Sequence, residues 1–415
     1  MREQPHALGT GPGISRRALI GALGLLGWPA AAAGGTGLAS VAASAGIRFG
    51  SAMRAASLDD PPIAALLARE CASLTPELEM KWAALSPTRD AFDTAGADAI
   101  AAFAARHAQR LRGHALLWHR SMPDWFAADP QWPLVSRHIA QTAGRWRTAI
   151  DEWDVVNEPV DAGGLRQGVM FGAFGPTYVA RALDEAHAAA PAARLMLNDY
   201  DLEYDLPDQA ARRAALLTLA RTLVGDRAPL GGIGVQMHLA VGRPFLPAAL
   251  RDFLVAIGDL GLSVSITEFD VRERDLPLPP AQRDAIVADH AARVLDVALA
   301  TPVIRSLTCW GLSDRQSWLE VTTQDRERFP GAWRDGSTPG LNRGLPFDSD
   351  CRPKPLRNAL GAALTDAKRA RSLRRLAYVN DYPQMGVGHA QTAEPPTDRA
   401  GRAGAADGRG NRGAG

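Results

Sequence analysis

The stretch WDVVNEP, residues 153–159, sets Val155 and Val156 directly before Asn157, Glu158 and Pro159. Two β-branched residues favour a buried strand, and a proline ends it. Glu158 is thereby placed at a strand mouth, beside an Asn157 amide able to donate to a hydroxyl. An exposed Asn-Glu-Pro turn would read the same way in isolation. The flanks decide between the two. Residues 131–150 and 176–189 carry Ala/Leu/Arg-rich helical patterns, and the short apolar run 195–198 follows. Helix, strand, helix, strand is the alternation of a parallel sheet.

The alternation continues in both directions. Further strand candidates lie at 47–52, 73–75, 111–117, 152–157, 232–236, 263–267 and 304–310. Helical candidates lie between them, at 98–109, 210–223, 247–259 and 280–300. This predicts an α/β fold, most simply a single closed (β/α)8 TIM barrel spanning 45–365. Nearly every strand candidate ends in a reactive or hydroxyl-binding residue: Glu77 to Lys81, His114 to His119, Asn157 and Glu158, Asn198 and Asp199, Gln236 to His238, Glu268, Trp310. In such barrels the carboxyl ends of the strands carry the active site, so these residues converge on one face.

The chain has 415 residues, is 46% hydrophobic and has a net charge of +1. That balance gives no electrostatic case for nucleic acid or an anionic membrane, and it suits a neutral partner. Cys71, Cys309 and Cys351 are too few for a disulfide scaffold; one bridge would leave a thiol over. Cys71 and Cys309 read as small buried apolar residues. No Cys/His cluster suggests a metal, and no cofactor is signalled.

Both ends differ from the middle. Residues 15–33, SRRALIGALGLLGWPAAAA, follow the order of a secretory signal: basic pair, apolar run, small residues. The Arg16-Arg17 pair resembles a twin-arginine signal, so residues 1–44 read as a cleaved leader. The mature protein is then expected to be periplasmic or extracellular, a monomer, without stable membrane insertion. From residue 366 the composition changes: KRARSLRRLAYV is a basic amphipathic stretch and the last twenty or so residues are Gly, Ala, Arg, Asp and Pro, which predicts a disordered tail over 366–415.

VSITEFD, residues 264–270, repeats the pattern of 153–159: apolar strand residues, then Glu268. The two glutamates lie three strands apart around the barrel and can face each other across its mouth. One acid to protonate a leaving oxygen and one carboxylate to attack an anomeric carbon is the equipment of a glycosidase. A retaining enzyme needs them roughly 5 Å apart.

The chain resembles glycoside hydrolase family ten, the endo-1,4-β-xylanases. The matching stretches are SLTPELEMKW (73–82), RGHALLWH (112–119), WDVVNEP, LMLNDYDLE (195–203), GIGVQMHL (232–239), SITEFD (265–270), CWGLSDRQSWL (309–319) and LPFDSDCRPKP (345–355), in family order. The resemblance implies a (β/α)8 barrel that hydrolyses β-1,4-xylan with retention, Glu158 as acid/base and Glu268 as nucleophile. It also implies Glu77 and Lys81 around the sugar two units before the cut. His114, Trp118 and Asn157 would line the attacked sugar. His238 would bond the nucleophile, Gln236 would stand near the acid/base, and Trp310 and Trp318 would wall the cleft. A polysaccharide, xylan or xylo-oligosaccharide, is the implied partner.

Three positions depart from the family pattern. Leu78 stands where an asparagine is usual, Arg120-Ser121-Met122 replaces a small residue, Gln and Thr, and Asp201 replaces Asn. All bear on sugar positions before the cut and spare the glutamates. Arg120 suggests a xylan bearing acidic, glucuronyl branches. Other readings are a retaining enzyme for a β-1,4-glucan or mannan, and a non-catalytic carbohydrate-binding envelope protein. Residue by residue, Trp82, Trp125 and Trp153 read as packing, His107, His138, His187 and His290 as surface, and Asp270 as a loop cap.

Overall fold

The computed structural model describes residues 37–273, 278–319 and 342–381. The signal-like stretch 15–33 and the tail from 382 onward lie outside the described residues. The eight expected strands are β1 (Arg48–Met53), β2 (Ser73–Pro76), β3 (Arg110–Gly113), β4 (Ile150–Asn157), β5 (Arg194–Asp199), β6 (Gly232–Val235), β7 (Ser263–Arg272) and β8 (Ile304–Cys309). Each pairs in parallel with the next, β8 returns to β1, and the sheet is a closed barrel. The major helices between and after the strands are α1 (Pro61–Glu70), α2 (Ala95–Arg106), α3 (Trp132–Arg145), α4 (Tyr178–Ala189), α5 (Pro207–Gly225), α6 (Pro247–Asp259), α7 (Pro280–Leu299) and α8 (Pro355–Asp381).

Local sequence explains the punctuation. α1, α3, α5, α6 and α7 each carry a proline in the first two positions, where the missing N–H would have no helical partner. α3 buries Val135, His138, Ile139, Thr142 and Ala143, one helical stripe against the sheet. Pairing is tightest where glycine meets a large neighbour. Gly113 is level with Trp153, and a Cβ on it would lie 2.1 Å from the indole.

Three boundaries differ from the sequence expectation. The run 111–117 is not one strand: it breaks after Gly113, where the His114 ring turns to meet Asp154, and resumes as a short strand, Leu117–Trp118, beside β4. A helix, Leu38–Ser44, precedes the expected barrel start at 45; it buries Leu38, and the Leu38 N–H donates to Glu70 Oε2 at 3.0 Å. Residues 366–381, expected in the tail, lie in α8. Ala367 is buried, and Arg371 donates to the Ala45 and Ile304 carbonyls, so this arginine-rich stretch has backbone acceptors that its composition did not reveal. By contact the chain divides into Met1–Leu373, which holds the barrel, and Arg374–Gly415, of which residues 374–381 are helical backbone.

All three cysteines are free thiols, with Cys71 and Cys309 buried. Among the described residues no helix is long and apolar enough to cross a membrane, and no three His, Cys, Asp or Glu side chains are grouped to hold a metal.

Candidate active site

The strand ends bring the expected residues to one mouth of the barrel. Glu158 follows the last residue of β4 with φ of 57°, the left-handed region a non-glycine residue rarely occupies. Such a conformation costs roughly 1–3 kcal/mol and persists only when its surroundings fix it. Here the Glu158 N–H donates to the Asn198 carbonyl at 2.6 Å, and its own carbonyl accepts from Arg166 Nε at 2.8 Å. The carboxylate, on a residue 7% exposed, faces His119 Nε2 at 3.7 Å. Asp199, at the end of β5, both packs and supports this turn. Its carboxyl accepts from the Val160 N–H at 3.2 Å and from Arg212 at 3.3 Å, fastening the chain just beyond Glu158. Burial pushes Asp199 up to about 7, against the pull of Arg212.

Glu268 lies within β7 and is 5% exposed. Its Oε1 accepts from Asn198 Nδ2 at 2.7 Å, and its Oε2 faces His238 Nε2 at 3.2 Å. Behind the histidine, Nδ1 meets Asp270 Oδ1 at 3.0 Å, and the other Asp270 oxygen accepts from Trp318 Nε1 at 2.6 Å. Asp270 is therefore not a loop cap; it orients and charges the imidazole. Burial alone would lower the His238 pKa, but Asp270 and then Glu268 outweigh it and raise it to about 10. Burial alone would raise Glu268; the His238 hydrogen bond, with the electrostatic pull of its neighbours, among them His238 and Lys81, brings it down to about 2.

The two glutamates sit beside histidines of opposite character. His119 is pushed down to about 4 by burial, with Arg166 and Arg120 adding to it. Near neutral pH an imidazolium thus faces Glu268 and a neutral imidazole faces Glu158. The carboxylates are also linked. Asn157 Oδ1 accepts from Asn198 Nδ2 at 2.8 Å and from Gln236 Nε2 at 3.3 Å, while Asn157 Nδ2 is 3.5 Å from Glu158 Oε1.

The remaining expected residues frame this pair. Lys81 sits with its Nζ 4.4 Å over the Trp118 ring, and burial lowers its pKa against the pull of Glu268, Glu77 and Glu158. Glu77 accepts from Arg54 at 2.7 Å. His114 donates through Nδ1 to Asp154 at 3.0 Å, and its ring meets the Trp310 ring edge-on at 5.2 Å. Trp310 also stands edge-on to His238 at 6.4 Å, and Trp318 lies 5.1 Å from the same imidazole. A pocket opens beside Glu158, walled by Trp118, His119, Met122, Arg166 and Phe171. Indole faces with amide, ammonium and imidazole donors suit a sugar, which has apolar faces and polar edges.

Residues 37–363 match Glycosyl hydrolase family 10 across that whole span. The chain belongs to that family. An endo-1,4-beta-xylanase from Agaricus bisporus is 31% identical over 315 residues, covering 74% of this chain and 88% of that protein. Endo-1,4-beta-xylanase A from Phanerodontia chrysosporium is 33% identical, covering 66% of this chain and 67% of the relative. Among solved structures, native xylanase 10B from Thermotoga maritima superposes with a TM-score of 0.70 at 28% identity, covering 80% of this chain and 99% of that one. The Thermotoga petrophila xylanase 10B, solved in complex with xylobiose, also gives 0.70, at 27% identity, with 80% and 98% covered.

Sequence placed Asn198 and His119 at the strand mouths without giving either a role, and it gave Thr267 and Asp270 no place in the site. Asn198 is the joint of the family 10 site here. Besides its two donated bonds, its Oδ1 accepts from Thr267 at 2.6 Å, so its amide orientation is fixed from both sides. Its signal was present as a polar residue at the end of an apolar strand. The surface reading of two histidines fails. His138 is buried, stacks on Trp82 and bonds the Leu116 carbonyl at 2.8 Å, while His290 is buried against Tyr204 Oη at 2.7 Å. His107 and His187 are exposed, and Trp82 and Trp153 are core.

Proposed function

We propose that this chain is an endo-1,4-β-xylanase that cleaves xylan with retention of anomeric configuration. Glu268 attacks the anomeric carbon while Glu158 protonates the departing oxygen; water, deprotonated by Glu158, then releases the sugar from Glu268. The observation carrying this assignment is the contrast between the two histidines. A nucleophile must be ionised and unprotonated, which the charged His238 favours at Glu268. An acid/base must take and give a proton, and the neutral His119 puts no fixed positive charge against Glu158. Asn157, beside the acid and tied to Asn198, is placed to bond a sugar hydroxyl during attack. Both steps use only carboxylates, protons and water, and no cofactor is invoked.

The substrate class rests on the relatives, which are named xylanases, and on the family match. Export to the periplasm or medium rests on residues 15–33 as sequence. Hydrolysis of xylan, mixed-linkage β-glucan and mannan by the purified protein and by Glu268→Ala tests the reading. Xylan should be turned over fastest, and the variant should lose nearly all turnover. Fastest turnover of glucan or mannan would overturn the substrate, and a variant of unchanged behaviour would favour a binding protein.

A further inference from the structure

Glu158 begins a loop that turns back on itself. Val160–Asp161 and Gly164–Leu165 pair as a short antiparallel hairpin, which returns the chain to its starting point. Arg166 follows the hairpin, and its N–H donates to the Pro159 carbonyl at 2.8 Å. Its side chain reaches the same turn again: Nε donates to the Glu158 carbonyl at 2.8 Å, and Nη2 donates to the Val160 carbonyl at 2.9 Å. The consecutive carbonyls of 158, 159 and 160 thus all accept from one residue. Tyr200 and Arg212 brace that guanidinium. Tyr200 Oη lies 3.4 Å from Arg166 Nη2, and Arg212 donates to the same hydroxyl at 3.3 Å and to the Val160 carbonyl at 2.6 Å.

A φ of 57° at a non-glycine residue is not a resting conformation of the chain, so bonds from elsewhere must define it. The Glu158 carboxylate itself is loosely held: His119 Nε2 lies 3.7 Å away and Asn157 Nδ2 3.5 Å. Its aim is therefore set through the backbone. That suits an acid/base, which must exchange its proton with the substrate and not with a neighbour. We propose that Arg166 is a positioning residue for Glu158: by bridging the 158 and 160 carbonyls it holds the left-handed turn that aims the carboxylate at the leaving oxygen. The proposal rests on the assignment of Glu158 as acid/base above and adds to it the group that fixes its direction. The same guanidinium, after burial, helps to lower His119, so it also disfavours a proton on the imidazole facing Glu158.

Aryl xylobiosides whose leaving groups run from dinitrophenol to unsubstituted phenol test it. A dinitrophenol departs with little help, whereas phenol needs the acid. None carries a leaving sugar, so a contact between Arg166 and such a sugar would not register. The readout is the factor by which kcat/KM falls on each substrate in Arg166→Gln, Arg166→Lys and Glu158→Ala, relative to the wild type. A loss of folded protein lowers every substrate by the same factor; a misaimed acid does not. Arg166→Gln should lose less than about threefold on the dinitrophenyl substrate and ~10–10²-fold on the phenyl one, because a misplacement of about 1 Å can cost ~10²-fold. Arg166→Lys, which keeps the charge and can reach one carbonyl, should fall between, and it carries the test where Arg166→Gln does not fold. Equal factors across the series in the Arg166 variants, with Glu158→Ala still losing most on phenol, would overturn the positioning role alone. Equal factors in Glu158→Ala would overturn the acid/base assignment and this proposal with it.

Discussion

Replacing His238 with Asn should move the acid limb of the pH profile. In the wild type the Glu268 carboxyl is held at about 2 instead of the ordinary 4.5, and His238 supplies the leading favourable contribution through its hydrogen bond and its charge. That difference corresponds to roughly 3 kcal/mol favouring the ionised form of Glu268. The burial that opposes ionisation remains in the variant, so Glu268 should rise towards or above the ordinary carboxyl range. The assay is kcat/KM for an aryl xyloside with a good leaving group, which asks little of Glu158. Wild-type activity should stay level from about pH 7 down to the onset of acid unfolding, while His238→Asn should fall through a limb near or above the ordinary carboxyl range. An acid limb displaced by less than ~0.5 units would refute the claim that His238 sets the charge of Glu268.

Other consequences follow from single contacts. Glu158→Ala should lose ~10²–10⁴-fold on unactivated xylo-oligosaccharides and far less on aryl xylosides, a split read by comparing the two substrates. Gly234→Ala would place a Cβ 2.2 Å from Asn198 Oδ1; kcat should drop together with thermal stability as Asn198 is displaced from Glu268. Trp318→Phe removes the indole donor to buried Asp270 and should lower unfolding free energy by roughly 1–3 kcal/mol in a denaturant titration. Glu203 is buried with one carboxyl oxygen unpartnered, and burial raises it to about 7. Its folded pKa lies above its unfolded one, so its contribution is full below about pH 4 and is lost as pH rises through about 7. Glu203→Gln should therefore flatten the decline in melting temperature between about pH 5 and 8.

The barrel was legible because its strands are short, apolar and closed by polar residues, and because helices of different period separate them. Where one side chain had to leave the strand to meet a distant partner, local pattern misled. His114 breaks the run 111–117 to reach Asp154, forty residues on. The same limit hid the interior roles of His138 and His290: helical spacing does not reveal that the Leu116 carbonyl or the Tyr204 hydroxyl waits inside to bond them. For the site, the two glutamates and His238 could be placed by motif. Asp270 and Asn198 could not be assigned from spacing, because their work is set by bonds across strands: Asp270 to Trp318, and Asn198 to Asn157, Thr267 and Glu268. At the carboxyl-terminal end, arginines 369 and 371 looked like tail composition, yet Arg371 ties α8 to the barrel floor.

The central claim, that Glu268 and Glu158 act together by double displacement, is tested most directly by following the anomeric configuration of the first product from a defined xylo-oligosaccharide by proton NMR. The account predicts that the β-anomer appears first and mutarotates afterwards. Initial appearance of the α-anomer would contradict it.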